Sequence, residues 1–263
     1  MIDISTKKRV VVKVGTSTLT HKTGKLNIRR VEQLVKTLSD LQNSGKEIIL
    51  VSSGSVGLGM SKLGIIEKPT YTPLRQACAA VGQCELMYLY DKLFSEYSLT
   101  VAQILLTKYV LIEDRRKNVE NAMEQLIAQG VIPIVNENDT VSIDELELEM
   151  GENDSLAAII ATVINADLVV IMSDIDGLYD SDPRTNEDAT LIPVVNKITD
   201  EIHDLAGGAG SRFGTGGMKT KVVAAEIANE SGIDMIIMNG SNPKKLYDLF
   251  EGKQIGTLFC ANK

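Results

Sequence analysis

The segment Gly-Thr-Gly-Gly-Met-Lys-Thr-Lys at 214–221 places three glycines, two hydroxyl residues and two lysines ahead of a predicted helix. Small residues let backbone N–H groups approach a phosphate closely, and the amino-terminal end of a helix favours an anion. The segment is not the common Gly-x-x-x-x-Gly-Lys-Ser/Thr loop, because the sequence contains no Gly-Lys-Ser/Thr. Lys219 and Lys221 are two residues apart and cannot share a helix face, so we expect one of them to reach the ligand.

A third lysine and a carboxylate complete a set that suits phosphoryl transfer. Lys13 lies among valines in the run Arg-Val-Val-Val-Lys-Val-Gly and is followed by Gly15, Thr16 and Ser17. A lysine at a strand end often extends to solvent, but an unpaired buried ammonium would be costly. Asp154 opens an apolar helix, either as a first-turn acid or as a carboxylate that pairs with lysines. Two lysines and one acidic organiser suit a reaction that depends on positioning and charge neutralisation.

Three more polar loops follow predicted strands. The serines and glycines of 52–59 could bond an anion or cap the next helix. The segment Asn-Glu-Asn-Asp-Thr at 136–140 offers carboxylates to an ammonium or a hydrated metal ion, and amides to a carboxylate or carbonyl. Asx turns would explain one or two of those residues but not all four. The segment 173–184 carries strong turn signals, and it would also suit the sugar and base of a nucleotide.

The elements that position these loops alternate between β-rich runs and helical periods. Predicted strands occupy 9–15, 47–54, 100–106, 131–138, 142–150, 167–174 and 233–240, and predicted helices begin after Asn27 and occupy 73–97, 115–129, about 199–206, and segments starting near 154 and 218. The segment 142–150 alternates in polarity and is expected to be a half-exposed hairpin strand. The apolar face of the first long helix is expected to run from Ile28 to Leu41. This order predicts an α/β fold, a three-layer αβα sandwich around a mainly parallel open sheet, as one domain over 1–263.

Composition excludes several classes of protein. The chain has 263 residues with 44% hydrophobic and 24% charged residues, the balance of a soluble globular domain. The net charge of −8 argues against nucleic-acid binding, and no apolar run is long enough for a membrane span. We therefore expect a cytoplasmic location. The three cysteines and two histidines show no disulfide or metal-site spacing, so we expect buried thiols and solvent-exposed histidines.

Taken together, the loops resemble the amino acid kinase superfamily, whose members phosphorylate carboxylates, carbamate or phosphates with ATP. The segments Lys-Val-Gly-Thr-Ser, Ser-Ser-Gly-Ser-Val-Gly-Leu-Gly, Asn-Glu-Asn-Asp-Thr-Val, Gly-Glu-Asn-Asp-Ser-Leu-Ala-Ala and Gly-Thr-Gly-Gly-Met-Lys-Thr-Lys are most similar to the glutamate 5-kinase family. Aspartate, acetylglutamate and uridylate kinases have different residues at the first or second of these loops. The resemblance covers nearly the whole chain, and it implies ATP-dependent phosphorylation of the γ-carboxylate of L-glutamate in proline synthesis.

The resemblance also implies a role for each site residue. Lys13 and Lys221 would neutralise the transferred phosphoryl group, Asp154 would organise them, and Lys219 would be a bystander. Glutamate would be held by Ser53, Gly54, Asn136, Asp139 and Asn153, with Asp139 facing its ammonium. ATP would meet Lys13, Gly15, Ser173, Asp174, Thr215, Gly216, Gly217, Met218 and Lys221. No metal ligands are expected from the protein, because Mg²⁺ would be carried by the ATP phosphates.

The resemblance leaves partners and alternatives to be tested. It implies a homo-oligomer, proline as a feedback inhibitor, and a glutamyl phosphate reductase as a partner. Glu152 stands where many relatives have Asp, and the carboxy-terminal PUA domain of many bacterial relatives is expected to be absent. Another acceptor, such as acetylglutamate or a nucleoside monophosphate, would not need carboxylates for an ammonium. A non-catalytic regulator that binds nucleotide or amino acid would not need both lysines and Asp154.

Overall fold

The computed structural model of the chain describes residues 3–21, 23–107, 113–141, 153–207 and 217–262. The predicted hairpin strand at 142–150, together with Glu152, Thr215 and Gly216, lies outside these residues. The described part of the chain contains eight strands: β1 Arg9–Val14, β2 Glu47–Ser52, β3 Val101–Leu106, β4 Ile132–Glu137, β5 Leu168–Ser173, β6 Val194–Val195, β7 Asp234–Asn239 and β8 Thr257–Phe259. The short strands β6 and β8 were not predicted from the sequence.

Within the described residues, nine α-helices accompany the strands. They are α1 Thr16–Leu19, α2 Ile28–Asn43, α3 Ser55–Leu63, α4 Thr72–Ser95, α5 Glu113–Ala128, α6 Asn153–Val163, α7 Asp200–Gly207, α8 Gly217–Glu230 and α9 Lys245–Phe250, preceded by a 3-10 helix at Ile4–Thr6. Asn27 caps α2 as predicted, since its side chain accepts a hydrogen bond from the backbone N–H of Arg30. The predicted apolar face of α2 was wrong at Ile28, which is 61% exposed, because the helix turns this first residue away from the sheet.

The strands form one sheet in the order β3-β4-β2-β1-β5-β7-β8-β6. Every pair is parallel except β7 with β8. The chain passes from β1 to β2 on one side and later returns to β5 on the other side. The strand order therefore reverses at β1, and in open α/β sheets ligands bind beyond the carboxyl ends of strands at this point.

Alternate residues of β1 face two different helical layers. Val10, Val12 and Val14 belong to a core with residues of α2 and α4. Val11 belongs to the opposite core, which includes buried residues of α5, α6 and α8. The predicted αβα sandwich is thereby confirmed. Because strand side chains alternate between the faces, Lys13 must point to the same side as Val11, toward α6 and α8.

The cysteines and histidines depart in part from the sequence-based expectation. Cys78 is buried, but Cys84 is exposed and Cys260 is half-buried, so the prediction of buried thiols was wrong for those two. His21 is exposed, whereas His203 in α7 is only partly exposed, with its Nε2 2.7 Å from Oε1 of Glu226 in α8. A carboxylate on the neighbouring helix explains this position. Among the described residues, no helix has the length and apolar character needed to cross a membrane.

Candidate active site

A buried ion cluster joins three elements beyond the carboxyl end of β1. Oδ1 of Asp154 lies 2.6 Å from Nζ of Lys13, and Oδ2 lies 3.0 Å from Nζ of Lys221. The Asp154 side chain is fully buried and each lysine side chain is 9% exposed. Lys13 comes from β1, Asp154 from the first turn of α6 and Lys221 from the second turn of α8. The structure thus brings together the three residues for which the sequence predicted phosphoryl-transfer roles.

The charge of this cluster is unbalanced. Burial would raise the pKa of the Asp154 carboxyl, but the ammonium groups of Lys13 and Lys221 hold that pKa below its ordinary value. Asp154 is therefore an anion between two cations, and the cluster keeps one excess positive charge in a place that is almost closed to water. An uncompensated buried charge is costly, so the cluster is suited to bind an anionic group.

The two lysines of the α8 segment differ in position, which the residues alone could not decide. Lys221 is buried, and its Nζ also donates to the carbonyl oxygen of Gly217 at 2.8 Å. Lys219 is exposed. Gly217 and Met218 form the amino-terminal turn of α8, where backbone N–H groups favour an anion. The helix thus directs Lys221 inward and Lys219 outward.

A cavity of about 660 Å³ lies between the end of β5 and the start of α8. Its lining includes Ser173, Asp174, Tyr179, Met218 and Lys221. Ser173 is the last residue of β5, and its Oγ donates to Oδ1 of Asp174 at 3.1 Å. A volume of this size suits a nucleotide-sized ligand. The lysine cluster borders this cavity, because Lys221 belongs to both.

A hydrogen-bonded network, which we call the amide network, lies on the side of β2 and β4. It consists of Ser53, Ser55, Gln83, Asn136, Asp139 and Asn153. Nδ2 of Asn153 donates to Oγ of Ser53 at 2.8 Å and to Oδ1 of Asn136 at 2.9 Å. Oγ of Ser55 donates to Oδ2 of Asp139 at 3.2 Å. Asn153 directly precedes Asp154, so this network adjoins the lysine cluster. The structure thus brings four predicted acceptor-site residues close to one another and to the lysine cluster: Ser53, Asn136, Asp139 and Asn153.

Asp139 is the carboxylate of this network with a perturbed pKa. Burial raises the pKa of its carboxyl, and the nearby Glu137 raises it further, while the hydrogen bond from Ser55 and the charge of Arg75 lower it. The net shift is upward from the ordinary value of 3.8. Burial and the like charge of Glu137 disfavour the ionised form of Asp139. A cation bound beside Asp139 would offset this unfavourable energy, so the position favours a cationic group.

Two glycines fix the backbone around these residues. Gly54 has a φ of 108° at the start of α3, a left-handed conformation that other residues rarely adopt. Gly15 directly precedes α1 and lies close to the lysine cluster, since a Cβ added there would lie 3.5 Å from Nζ of Lys13. Both predicted positions thus border the site.

Two side chains of the network, those of Ser55 and Gln83, were not predicted to belong to the acceptor site. The hydroxyl of Ser55 was expected either to bond an anion or to cap the next helix, and its Oγ donates to the carboxylate of Asp139. Gln83 in α4 had no assigned role, yet its Oε1 accepts a hydrogen bond from Nδ2 of Asn136 at 2.9 Å. The one signal for Gln83 was a polar residue within an otherwise apolar stretch of helix. That signal could not identify its partner, which lies 53 residues away in the sequence.

Helices α3 and α4 cross with their backbones in contact, and this crossing sets the position of Ser55. A Cβ at Gly82 would lie 1.7 Å from the carbonyl oxygen of Ser55, and a Cβ at Gly59 would lie 1.8 Å from that of Cys78. We expect Gly82→Ala to lower the free energy of unfolding by about 1–3 kcal/mol, because neither helix can give way without shifting backbone. Urea denaturation measures this.

Gly57→Ala in α3 is the matched control for the crossing. Its Cβ would meet only Cγ2 of Thr16 at 3.8 Å, an ordinary contact. The free energy of unfolding of this variant should stay near that of the wild type. Equal losses in Gly57→Ala and Gly82→Ala would show that the close helix crossing does not determine stability here.

The chain is similar in sequence to known proteins over nearly its full length. The family model described as "Amino acid kinase family" matches residues 8–239. A glutamate 5-kinase of Clostridium perfringens is 55% identical over 259 residues, with 97% of this chain and 96% of that protein covered. A glutamate 5-kinase of Listeria monocytogenes is 51% identical over 263 residues, with 99% and 95% covered.

Solved structures with much lower sequence identity share the fold. Carbamate kinase from Giardia lamblia bound to AMP-PNP has a TM-score of 0.71 at 18% identity, and 98% of this chain and all of that chain are covered. UMP kinase from Ureaplasma parvum has a TM-score of 0.65 at 14% identity, with 97% and 99% covered. The αβα arrangement around the mainly parallel sheet is thus common to kinases that act on different acceptors.

Proposed function

Since the chain belongs to the amino acid kinase family and is therefore a kinase that uses ATP, we propose that its acceptor is L-glutamate. The enzyme transfers the γ-phosphoryl group of ATP to the γ-carboxylate, which gives L-glutamyl 5-phosphate and ADP as the first step of proline synthesis. The observation that supports this most directly is the cluster of Lys13, Asp154 and Lys221, placed between the cavity at β5 and the amide network at β4. The full-length similarity to glutamate 5-kinases supports the choice of acceptor.

The reaction requires positioning and charge neutralisation more than proton transfer. An oxygen of the γ-carboxylate attacks the γ-phosphorus, and the bond from that phosphorus to the β,γ-bridging oxygen breaks, with its electron pair leaving on ADP. A carboxylate is already ionised at neutral pH, so no general base is needed. Lys13 and Lys221 contact the non-bridging oxygens, where charge develops. Asp154 holds both ammonium groups at a fixed separation.

The nucleotide occupies the cavity at the end of β5. Its phosphates extend toward Gly15 and the amino-terminal turn of α8, where Gly217 and Met218 lie, and its nucleoside meets Ser173 and Asp174. The predicted contacts of Thr215 and Gly216 fall outside the described residues. Mg²⁺ bound to the ATP phosphates would neutralise part of their charge. The donor set of the protein fits this arrangement, because both oxygens of Asp154 are engaged by lysines.

The amide network holds the amino acid. Asp139 pairs with the ammonium of glutamate, and Ser53, Gly54, Asn136 and Asn153 orient its carboxylates. We expect Asp139→Asn to raise the KM for L-glutamate about tenfold or more, because the variant loses a hydrogen bond between charged groups. The KM for ATP should stay unchanged. A KM for glutamate equal to that of the wild type would show that Asp139 does not bind the ammonium of glutamate.

The pKa of Asp139 predicts two further effects of this substitution. In the wild type, glutamate affinity should fall as pH decreases through the raised pKa, above the ordinary value of 3.8, and Asp139→Asn should lose this dependence. A carboxyl whose folded-state pKa is raised lowers stability when it is ionised. Asp139→Asn should therefore make the ligand-free protein more stable near neutral pH, as urea denaturation would show.

The direct test of the proposed function is ATP turnover in the presence of Mg²⁺ and L-glutamate, with hydroxylamine to trap the acyl phosphate as a hydroxamate. Acetylglutamate, aspartate and uridylate serve as alternative acceptors. Hydroxamate formed with glutamate alone would support both the reaction and the acceptor. Turnover with another acceptor alone would contradict glutamate, and ATP binding without any turnover would favour a regulator.

The same similarity leads us to propose partners and regulation. Proline shares the ammonium and α-carboxylate of glutamate, so it would inhibit by competing for the amide network. A homo-oligomer is supported by the exposed apolar residues Leu74 and Tyr88 on α4 and Tyr71 directly before it, and light scattering would test it. An acyl phosphate hydrolyses readily, which favours transfer to a glutamyl phosphate reductase. A cytoplasmic location is proposed because ATP is supplied there.

A further inference from the structure

Gln83 is a buried polar residue to which the phosphoryl-transfer chemistry assigns no role. It is 8% exposed and lies in α4, next to Gly82, which contacts the first turn of α3 through the carbonyl oxygen of Ser55. This crossing brings Gln83 beside the amide network. Its Oε1 accepts a hydrogen bond from Nδ2 of Asn136 at 2.9 Å.

The orientation of each amide in this network follows from a backbone donor. The backbone N–H of Glu137 donates to Oδ1 of Asn136 at 2.9 Å, and Nδ2 of Asn153 donates to the same oxygen. The other end of the Asn136 amide must therefore be its NH₂ group, which donates to Gln83. The oxygen of Gln83 faces Asn136, and its NH₂ group faces away from it.

The NH₂ group of Gln83 has no hydrogen-bond partner among the residues that the structure describes. A buried donor without an acceptor is unfavourable, and such groups in native proteins are usually satisfied by a ligand or water. Gln83 is joined to Asp139 through Asn136 and Ser55, because Nδ2 of Asn136 lies 3.4 Å from Oγ of Ser55, which bonds Asp139. The unpaired donor and the proposed ammonium partner thus belong to one network.

An amino acid acceptor carries its ammonium and α-carboxylate on the same carbon atom. A ligand whose ammonium pairs with Asp139 must therefore place its α-carboxylate nearby, and that carboxylate needs N–H donors. The lysines are assigned to the transferred phosphoryl group at the other end of the acceptor. Gln83 supplies two N–H groups with the required chemistry.

We propose that Gln83 is a binding and positioning residue of the acceptor site, which fixes Asn136 through Oε1 and donates from Nε2 to the α-carboxylate of the amino acid. This inference rests on the proposed function, because it requires an α-amino acid as the acceptor. It assigns to α4 a direct part in substrate selection, in addition to its packing against α3.

The test compares two ligands that differ only in the α-carboxylate. L-Glutamate is the substrate, and 4-aminobutyrate is glutamate without its α-carboxylate, measured as a competitive inhibitor. Gln83→Met preserves the length of the side chain and removes its hydrogen bonds. We expect the KM for glutamate to rise about tenfold, with kcat and the KM for ATP changed by less than about threefold. The inhibition constant of 4-aminobutyrate should rise by much less than the KM for glutamate, because this ligand loses only the support that Gln83 gives to Asn136.

A second variant separates the donor from the acceptor end of Gln83. Gln83→Glu keeps an oxygen that can accept from Asn136 but replaces the NH₂ group with a second oxygen, which repels a carboxylate. Its KM for glutamate should rise more than that of Gln83→Met. Gln125→Met, the same substitution at an exposed position of α5, is the control and should behave as the wild type.

Two results would overturn the proposal. One is an unchanged KM for glutamate in both Gln83 variants. The other is an equal loss of affinity for glutamate and 4-aminobutyrate, which would show that Gln83 acts through packing or Asn136 without contacting the α-carboxylate. Thermal denaturation checks that the variants fold. If Gln83→Met does not fold, Gln83→Glu provides the test. A wild-type protein that does not phosphorylate glutamate would instead contradict the proposed function.

Discussion

We expect Lys221→Met to lower kcat about 10²–10³-fold while the KM for L-glutamate stays within about threefold of the wild-type value. The ammonium of Lys221 lies 3.0 Å from Asp154 and is nearly closed to water, so its charge is poorly screened. Such a charge stabilises the extra negative charge that develops during phosphoryl transfer more than it stabilises bound substrate. Lys13→Met should have an effect of the same size, because Lys13 occupies the equivalent position on the other oxygen of Asp154.

Lys219→Met is the matched control for this prediction. It lies two residues before Lys221, lines the same cavity, and is exposed. Its removal changes the net charge of the protein as much as the removal of Lys221 does. Steady-state kinetics should show a kcat near that of the wild type. If Lys219→Met and Lys221→Met lose activity equally, or if Lys221→Met changes only the KM for glutamate, the role assigned to Lys221 is wrong.

The second large effect concerns Asp154. We expect Asp154→Asn to lower the free energy of unfolding by about 3–5 kcal/mol, because it leaves two buried ammonium groups without their carboxylate. The variant should also lose most of its turnover, since nothing else among the described contacts holds both Lys13 and Lys221. Urea denaturation and the hydroxamate assay measure the two effects.

A double variant shows whether the loss of stability comes from unpaired charge. In Lys13→Met with Asp154→Asn, one cation and the anion are removed together, so the cluster keeps the single excess positive charge of the wild type. The combined loss of stability should be smaller than the sum of the two single losses. Additive losses would indicate that the two side chains contribute independently and that the ion pair is unimportant for stability.

The contribution of Asp154 to the stability of the folded protein depends on pH in a defined direction. Its pKa lies below the ordinary value of 3.8 in the folded protein, so ionised Asp154 contributes stability at all pH values above 3.8. That contribution is lost as pH falls from 3.8 through the lowered pKa. The difference in stability between wild type and Asp154→Asn should therefore be constant near neutral pH and decrease only below pH 3.8.

Much of the fold could be predicted because the pattern of residues repeats the geometry of its elements. The buried runs that became β1, β2, β4, β5 and β7 consist largely of β-branched and aliphatic residues, as strands covered on both faces require. Asn27 and the glycines after α2 and α5 mark helix ends by their own conformational preferences. The short β6 and β8 were missed, because two or three residues carry too little pattern to identify a strand.

The sequence by itself identified the loops to which we assign the chemistry, because glycine, lysine and carboxylate residues at strand ends are recognisable without knowing their neighbours. It did not decide between Lys219 and Lys221 from spacing, and the choice of Lys221 rested on resemblance. The tertiary structure placed Lys221 inward on Asp154 and Lys219 outward, because the packing of α8 against α6 fixes which face of the helix is buried. Only the tertiary structure placed Gln83 in the amide network. Its contact with Asn136 depends on the backbone crossing of α3 and α4, which no local sequence pattern encodes.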